Sequence, residues 1–290
     1  MKKLSVVLAT RNEETNIASV LDSVRQIADE IIVVDEESQD RTREIAKEKG
    51  AKVLAVKHEP IFHKTKQKAL DAASNEWILQ LDADEIVTPQ LAQEIKEVIE
   101  LSDQEIKNRR PKNKAKWKLF MRHEKAYEKM YGTIGKTTGE IVAFLLPRIN
   151  YFIGKQLIHA GVYPDPAIRL IKKGKAWFPA KSVHENMQID GEVAWLFNDL
   201  EHHDSPSIRR YIMRMNRYTD LQSEEFATAK LSKSYINILY YSSLKPVLIF
   251  LKLYYKHGGY KDGIRGFLWS VFSSMHFPMA YYKYLTKRYT

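Results

Sequence analysis

The chain has 290 residues, 44% hydrophobic and 28% charged, with a formal net charge of +10 and no cysteine. Without cysteine there are no disulfides, no thiol catalysis and no cysteine-ligated zinc. The remaining composition suits one large or two modest folded domains, and the positive balance favours an anionic partner: a nucleotide, a nucleic acid, an anionic glycan or a membrane surface.

The opening MKKLSVVLATRNEE begins like a signal peptide, but its apolar part stops at Thr10 and Arg11, Asn12 and Glu13 follow. It is expected to be the first strand of a cytoplasmic protein. No uninterrupted apolar segment reaches the ~18–20 residues that a bilayer span requires.

Residues 4–10, LSVVLAT, form a short apolar run suited to a strand buried on both faces. Ile17, Val20, Leu21, Val24 and Ile27 recur at helical spacing. EIIVVDEE holds a second strand, with Ser38 or Asp40 placed to cap the next helix. KVLAV (52–56) predicts a third strand, Ala69, Leu70 and Ala73 a short helical face, and WILQLD (77–82) a fourth strand. Thr88 and Pro89 then read as N-cap and first-turn proline of a helix carrying Leu91, Ile95, Val98 and Ile99. Strands alternating with helices predict a parallel sheet with right-handed crossovers.

The chain divides by composition into residues 1–100, a basic excursion at 101–138, a stretch of short strands at 139–205, and a helical region at 206–290. The excursion, with KNRRPKNKAKWK, reads as a solvated surface loop or as a binding arm. From Leu231 to Thr290 the only acidic residue is Asp262, among many Lys, Arg, Tyr, Phe and Trp. Such lysine-edged aromatic helices suit either a membrane interface or domain packing.

The chemistry concentrates at strand ends, where ligands of open parallel sheets bind. The first strand ends in Thr10, Arg11, Asn12 and Glu13, the second in Asp35, Glu36 and Glu37, the fourth in Asp82, Asp84 and Glu85. Crowded carboxylates repel unless a metal, a basic group or water lies among them. In extended chain Asp82 and Asp84 face the same way, and two hard oxygen donors suit Mg or Mn, ions that also take phosphate oxygens.

SVVLATRNEETNIASVLDSV, EIIVVDEESQDRTREIA and WILQLDADE together resemble the nucleotide-sugar domain of family 2 glycosyltransferases. LPRINYFIGKQLIHAGVYPDPAIRLIKKGKAWF, VHENMQIDG and a His ahead of a helix ending MNRYTDL resemble the bacterial group that adds glucose or heptose to the lipopolysaccharide inner core. The likeness covers about residues 4–100 and 143–270.

The resemblance implies an α/β, glycosyltransferase-A-type (Rossmann-like), mostly parallel sheet flanked by helices, followed by a helical, basic and aromatic C-terminal region. It implies a nucleotide-diphosphate sugar donor, a UDP-sugar favoured, and metal-dependent transfer with inversion to a cell-envelope glycan or lipid-linked acceptor. By motif position, Thr10, Asn12 and Glu13 would line the nucleotide pocket, Asp35 would meet base or ribose, and Lys66 base or phosphate. Asp82 would sit near ribose and metal, Asp84 would bind the divalent Mn or Mg directly, and His202 would complete the metal shell or touch the diphosphate. Glu185 would be the catalytic base, oriented by His184, with Asp165 the runner-up. Arg148 and Arg169 would bind an acidic acceptor or form structural ion pairs. The enzyme would be cytoplasmic, with an anionic membrane surface on the inner face of the cell membrane as an allowed partner. The excursion at about 105–138 is longer than the usual link between donor and acceptor halves.

Rival readings differ at identifiable points. A haloacid-dehalogenase-type phosphatase would carry its D-x-D on the first strand, which here ends in TRNE. A nucleotidyltransferase would carry an N-terminal glycine-rich loop, and none is present. A nucleic-acid binder matches the charge but not acids at three strand ends. A protein or peptide glycosyltransferase shares the same donor machinery.

Overall fold

A computed structural model of the chain describes residues 1–179 and 187–287. In chain order the strands are β1 Leu4–Thr10, β2 Glu30–Glu36, β3 Lys52–Val56, β4 Trp77–Leu81, β5 Glu85–Val87, β6 Ile141–Leu146, β7 Arg148–Phe152, β8 Lys155–Leu157, β9 Ala167–Lys172, β10 Ala176–Trp177, β11 Gln188–Ile189, β12 Glu192–Trp195 and β13 Leu200–Ser205. The helices are α1 Ile17–Val24, α2 Thr42–Glu48, α3 Phe62–Ala72, α4 Pro89–Glu100, α5 Asp103–Asn108, α6 Lys114–Tyr131, α7 Ile208–Thr228, α8 Tyr235–Leu239, α9 Lys245–Leu251 and α10 Gly263–Thr286. The chain divides into two compact units, Met1–Arg148 with Pro164–His202, and Ile149–Tyr163 with His203–Thr290.

The first unit is built on a seven-stranded sheet of order β12-β6-β9-β4-β1-β2-β3. β4, β1, β2 and β3 run parallel, as the alternation of strands and helices predicts. β1 and β4 are buried along their whole length, which is why they read as unbroken apolar runs. Their side chains alternate between two cores. Val6, Leu8, Leu79 and Leu81 pack with Ile17, Leu21, Leu91 and Ile95 of α1 and α4, while Val7, Ile32 and Ile78 pack with Ala69 and Leu70 of α3. The predicted cap of α4 forms, with Thr88 Oγ1 accepting from the Leu91 amide at 3.2 Å and Pro89 in the first turn. For α2 neither Ser38 nor Asp40 is the N-cap; that position is Arg41, and Ser38 turns back to Asp35 instead.

β9 departs from the parallel pattern. It lies between β4 and β6 and runs antiparallel to both. Its pairing of Leu170 with Leu79 brings Arg169 beside the end of β4.

The basic excursion is ordered helix, not a solvated loop. α5 opens with a Ser102–Glu105 capping box, and Asn113 caps α6. Phe120 is fully buried and stacks on Trp195 at 4.5 Å, while Trp195 Nε1 donates to Glu124. Arg109 pairs with Glu94 and lies over the Phe197 ring, and Lys116 pairs with Asp199 at 3.3 Å. Apolar anchors scattered through a basic segment are easily missed because charge dominates its composition. A groove of about 850 Å³ opens here, lined by Glu94, Arg109, Arg110, Lys112, Lys116 and Phe197 among others, and none of its lining residues belongs to the acid cluster at β4.

In the second unit β7 and β8 form a hairpin, and α7 and α10 pack around Met215, Thr219, Ala280, Tyr281 and Tyr284. The chain from Tyr235 to Lys256 is one continuous helical run, α8 and α9 alternating with the π-turns Tyr240–Leu244 and Lys252–Lys256. Gly266 lets α10 touch the preceding turn, since a Cβ there would lie 1.8 Å from the Gly259 carbonyl oxygen. The 22-residue run Tyr235–Lys256 holds an 18-residue stretch of mean hydropathy 1.2, so it is long and apolar enough to cross a membrane by length and composition. Lys245 and Lys252 interrupt it in sequence, which is why no unbroken apolar run marks it.

Candidate donor and metal site

The loops after β1 and β2 are held to each other by side chains. Thr10 Oγ1 donates to Asp35 Oδ2 at 3.1 Å across the register that pairs the two residues. Asp35 is fully buried and also accepts from the Ser38 amide and hydroxyl at 3.0 and 2.5 Å. Thr10 and Asp35, both expected at the nucleotide, are thus buried and bonded to each other, and they brace the loop. Asn12 takes a positive φ of 55°, a conformation asparagine tolerates better than most residues. Its amide donates to Ser38 Oγ at 2.8 Å and its Oδ1 accepts from the Gln39 amide at 2.8 Å. The Glu13 amide donates to Thr42 Oγ1 at 2.7 Å, and Glu13 Oε2 accepts from Asn16 at 2.8 Å.

At the end of β4 the chain turns rather than extending. The Glu85 amide donates to the Asp82 carbonyl at 3.1 Å, and Glu85 then enters β5. The two-residue alternation that would aim Asp82 and Asp84 at one ion therefore does not hold. Asp82 faces cations of the protein itself, with Oδ1 2.5 Å from Lys66 Nζ and Oδ2 2.6 Å from Arg169 Nη2. Glu85, fully buried, accepts from Arg169 Nη2 at 2.7 Å and Arg148 Nη1 at 3.0 Å. Gln80 completes the group by accepting from Arg169 Nη1 at 2.9 Å. Burial alone would raise the Asp82 carboxyl, but Arg169 and Lys66 outweigh it and hold it far below its ordinary value. The same competition lowers Glu85, burial opposed chiefly by Arg169. The Arg169 guanidinium is raised in turn, since Asp82 and Glu85 outweigh the cost of burying it.

Of the three acids, Asp84 makes no ion pair with a Lys or Arg among the described residues. Burial, with Asp82, Glu85 and Glu13 nearby, pushes its carboxyl up to about 6. His202 Nε2 lies 3.7 Å from Asp84 Oδ1, on a β13 strand whose His202 pairs with Glu85 of β5. Burial and then the Arg148 charge lower His202 to about 4, so its imidazole is neutral at pH 7. A carboxylate and a neutral imidazole facing each other suit a divalent ion. Among the described residues no group of three or more His, Asp or Glu is arranged to hold an ion alone. Asp84 and His202 would thus supply two ligands, leaving places for oxygens of a bound diphosphate and water.

The other expected residues fall as follows. Lys66 reaches the site but pairs with Asp82 rather than standing open for base or phosphate. Arg148 and Arg169 belong to the same group through ion pairs: Arg169 is 7% exposed and bonded to Gln80, Asp82 and Glu85. Arg148 joins Glu85 to Asp165, whose Oδ2 is 2.6 Å from Nη2. Glu185 and its neighbour His184 lie outside the described residues. Gln80 was not singled out from sequence. A polar residue inside WILQL, and an arginine inside AIRLIK, are the signals that each strand has a buried polar partner to satisfy.

The model of the family described as Glycosyl transferase family 2 matches residues 5–156, more than half of the chain. A glycosyltransferase of Rickettsia bellii, itself uncharacterized, is 36% identical over 237 residues, covering 68% of this chain and 74% of its own. An uncharacterized glycosyltransferase of Rickettsia typhi is 28% identical over 280 residues, 93% of this chain and 82% of its own. A lipopolysaccharide core biosynthesis glycosyltransferase of Rhizobium meliloti is 23% identical over 271 residues, 91% of this chain and 85% of its own. Among solved structures, glucosyl-3-phosphoglycerate synthase from Mycobacterium tuberculosis, in complex with Mn2+ and UDP-glucose, aligns over 29% of this chain and 34% of its own at 33% identity, with a TM-score of 0.27. With the family model matching residues 5–156, a relative at 36% identity and a mostly parallel sheet flanked by helices, the chain belongs to glycosyl transferase family 2 and is an enzyme of the glycosyltransferase-A fold.

Proposed function

We propose that the protein is a metal-dependent, inverting glycosyltransferase that moves a sugar from a nucleotide-diphosphate donor, a UDP-sugar, to a lipid-linked or lipopolysaccharide-core-like glycan at the inner face of the cell membrane. The observation that carries the reading is the division among the acids at β4: Asp82 and Glu85 are neutralised internally, and Asp84 faces His202 with no Lys or Arg ion pair among the described residues. That arrangement is unfavourable in the free protein and becomes favourable when a cation enters. The likeness to the Rhizobium lipopolysaccharide-core enzyme supports the acceptor class.

When bound by Asp84 and His202, Mn or Mg would neutralise charge on the departing diphosphate. The loop carrying Asn12 and Glu13 would line the nucleotide, and Lys66 would add positive charge beside Asp82. In the transfer itself an acceptor hydroxyl oxygen forms a bond to the anomeric carbon from the face opposite the nucleotide. The bond from that carbon to the diphosphate oxygen breaks, and the nucleotide diphosphate leaves with the electron pair. Glu185 would take the hydroxyl proton. Asp165, held by Arg148, is the second choice for that role.

A thermal-shift screen of nucleotide diphosphates and their sugars, with and without manganese, tests the reading. UDP and a UDP-sugar should raise the melting temperature only with the metal present, by an amount that follows RT ln(1 + [L]/Kd). No stabilisation by any nucleotide diphosphate would overturn it.

A further inference from the structure

The helical run Tyr235–Lys256 reverses the usual rule for a surface helix, which turns its polar side to water. Its inner side is fixed to α10 by aromatic contacts: Tyr241 stacks on Tyr281 at 4.5 Å, Phe250 meets Phe267 at 5.9 Å, and Lys245 Nζ lies 4.2 Å from the centre of the Phe277 ring. Its outer side carries Ile236, Leu239, Leu244, Val247, Leu248 and Leu251, exposed between 44% and 79%. Steps of three to five residues, with Val247 and Leu248 adjacent at its middle, keep these side chains on one ridge. A continuous apolar ridge of this kind marks an interaction surface.

Charge identifies the occupant. Nine Lys and Arg accompany a single acid, Asp262, between residues 231 and 290. Asp262 is already engaged by His159 Nδ1 at 2.7 Å and by the amides of Ile158 and His159. Lys252 and Lys256 are exposed at one end of the ridge and Lys233 at the other. Exposed Tyr235 and Tyr240 lie toward the start of the run, with Tyr255 and Tyr260 at its far end. Apolar residues flanked by tyrosine and lysine match the layered polarity of a headgroup region. A second copy of the chain would bring like charges together across the same face. A crossing helix would carry Lys245 and Lys252 into the hydrocarbon, whereas a helix lying along the surface keeps their ammonium groups at the headgroups.

We propose that the outer ridge of Tyr235–Lys256 docks this enzyme on an anionic bilayer, with the helix lying along the surface. The inference deepens the reading of an enzyme that works at a membrane, and assigns the face and the class of lipid. It is tested without donor or acceptor, so its failure leaves sugar transfer untouched, and failure of the donor screen leaves it standing.

The experiment is cosedimentation of the full chain with vesicles of phosphatidylcholine alone and of equal parts phosphatidylcholine and phosphatidylglycerol. Binding is expected to the anionic vesicles, to weaken as salt rises, and to be reversed by alkaline carbonate extraction. The triple substitution V247Q/L248Q/L251Q should lower the partition by about tenfold or more with unchanged circular dichroism. K252E/K256E, which leaves the ridge intact, should lower it on anionic vesicles and decides the matter should the triple variant misfold. Absence of binding to either vesicle, wild-type binding by both variants, or resistance to carbonate would overturn the proposal. So would a concentration-dependent dimer that the triple substitution abolishes, since a second copy would then cover the ridge.

Discussion

His202 Nε2 stands 3.7 Å from Asp84 Oδ1, beyond hydrogen-bond length yet close enough for both to hold one ion. Replacing Asp84 with Asn should remove the metal-dependent part of donor binding and leave the fold intact. Calorimetry of UDP with and without manganese would check this. Unchanged metal-dependent uptake would take Asp84 out of the site. His202→Ala should weaken metal affinity by about 10–100-fold, because a carboxylate ligand remains.

Asp84 also predicts a pH dependence. Its folded value, about 6, lies above its ordinary 3.8, so the folded chain binds the extra proton between these values. Stability of the metal-free protein should therefore fall as pH rises through that window, by roughly 2–3 kcal/mol at most from this group. Metal uptake should show the opposite trend and weaken below about pH 6, where the proton competes. Urea denaturation of wild type and Asp84→Asn across this range isolates the effect, since the variant lacks the titrating group.

Arg169→Met should be among the most damaging single changes in the first unit. It leaves Asp82 without one cation and Glu85 with only Arg148, at an expected cost of about 3–5 kcal/mol. Because Asp82 and Glu85 are held low in the folded state, the stabilisation from these pairs is present above their ordinary values and lost as pH falls below them. An acid titration of stability should thus show wild type losing its advantage over Arg169→Met toward low pH.

Glu185→Gln should reduce transfer by about two to four orders of magnitude while manganese-dependent donor binding persists. Radiolabelled sugar transfer and calorimetry on the same preparation separate the two. If transfer is normal and Asp165→Asn abolishes it, the base is Asp165.

Phe120→Ala tests whether α6 is part of the fold. With Phe120 fully buried against Trp195, truncation should cost about 3–5 kcal/mol. A solvated arm would show almost no loss on chemical denaturation.

What the sequence by itself determined is local and periodic. β1 to β4 and the helices between them follow from apolar runs and helical spacing, and Thr88–Pro89 marks the start of α4, because burial and capping act through near neighbours. The motifs also brought Asp82, Asp84 and Glu85 to the end of a buried strand. Which of those acids is neutralised was decided by tertiary structure alone. The answer depends on Arg169, reaching β4 from an antiparallel strand some ninety residues away, on Arg148 beside it, and on His202 across a β5–β13 pairing. The outward turn of the Tyr235–Lys256 ridge was hidden for the same reason. Hydrophobic spacing defines an apolar face, whereas whether that face meets α10 or the surroundings depends on what else the chain packs there.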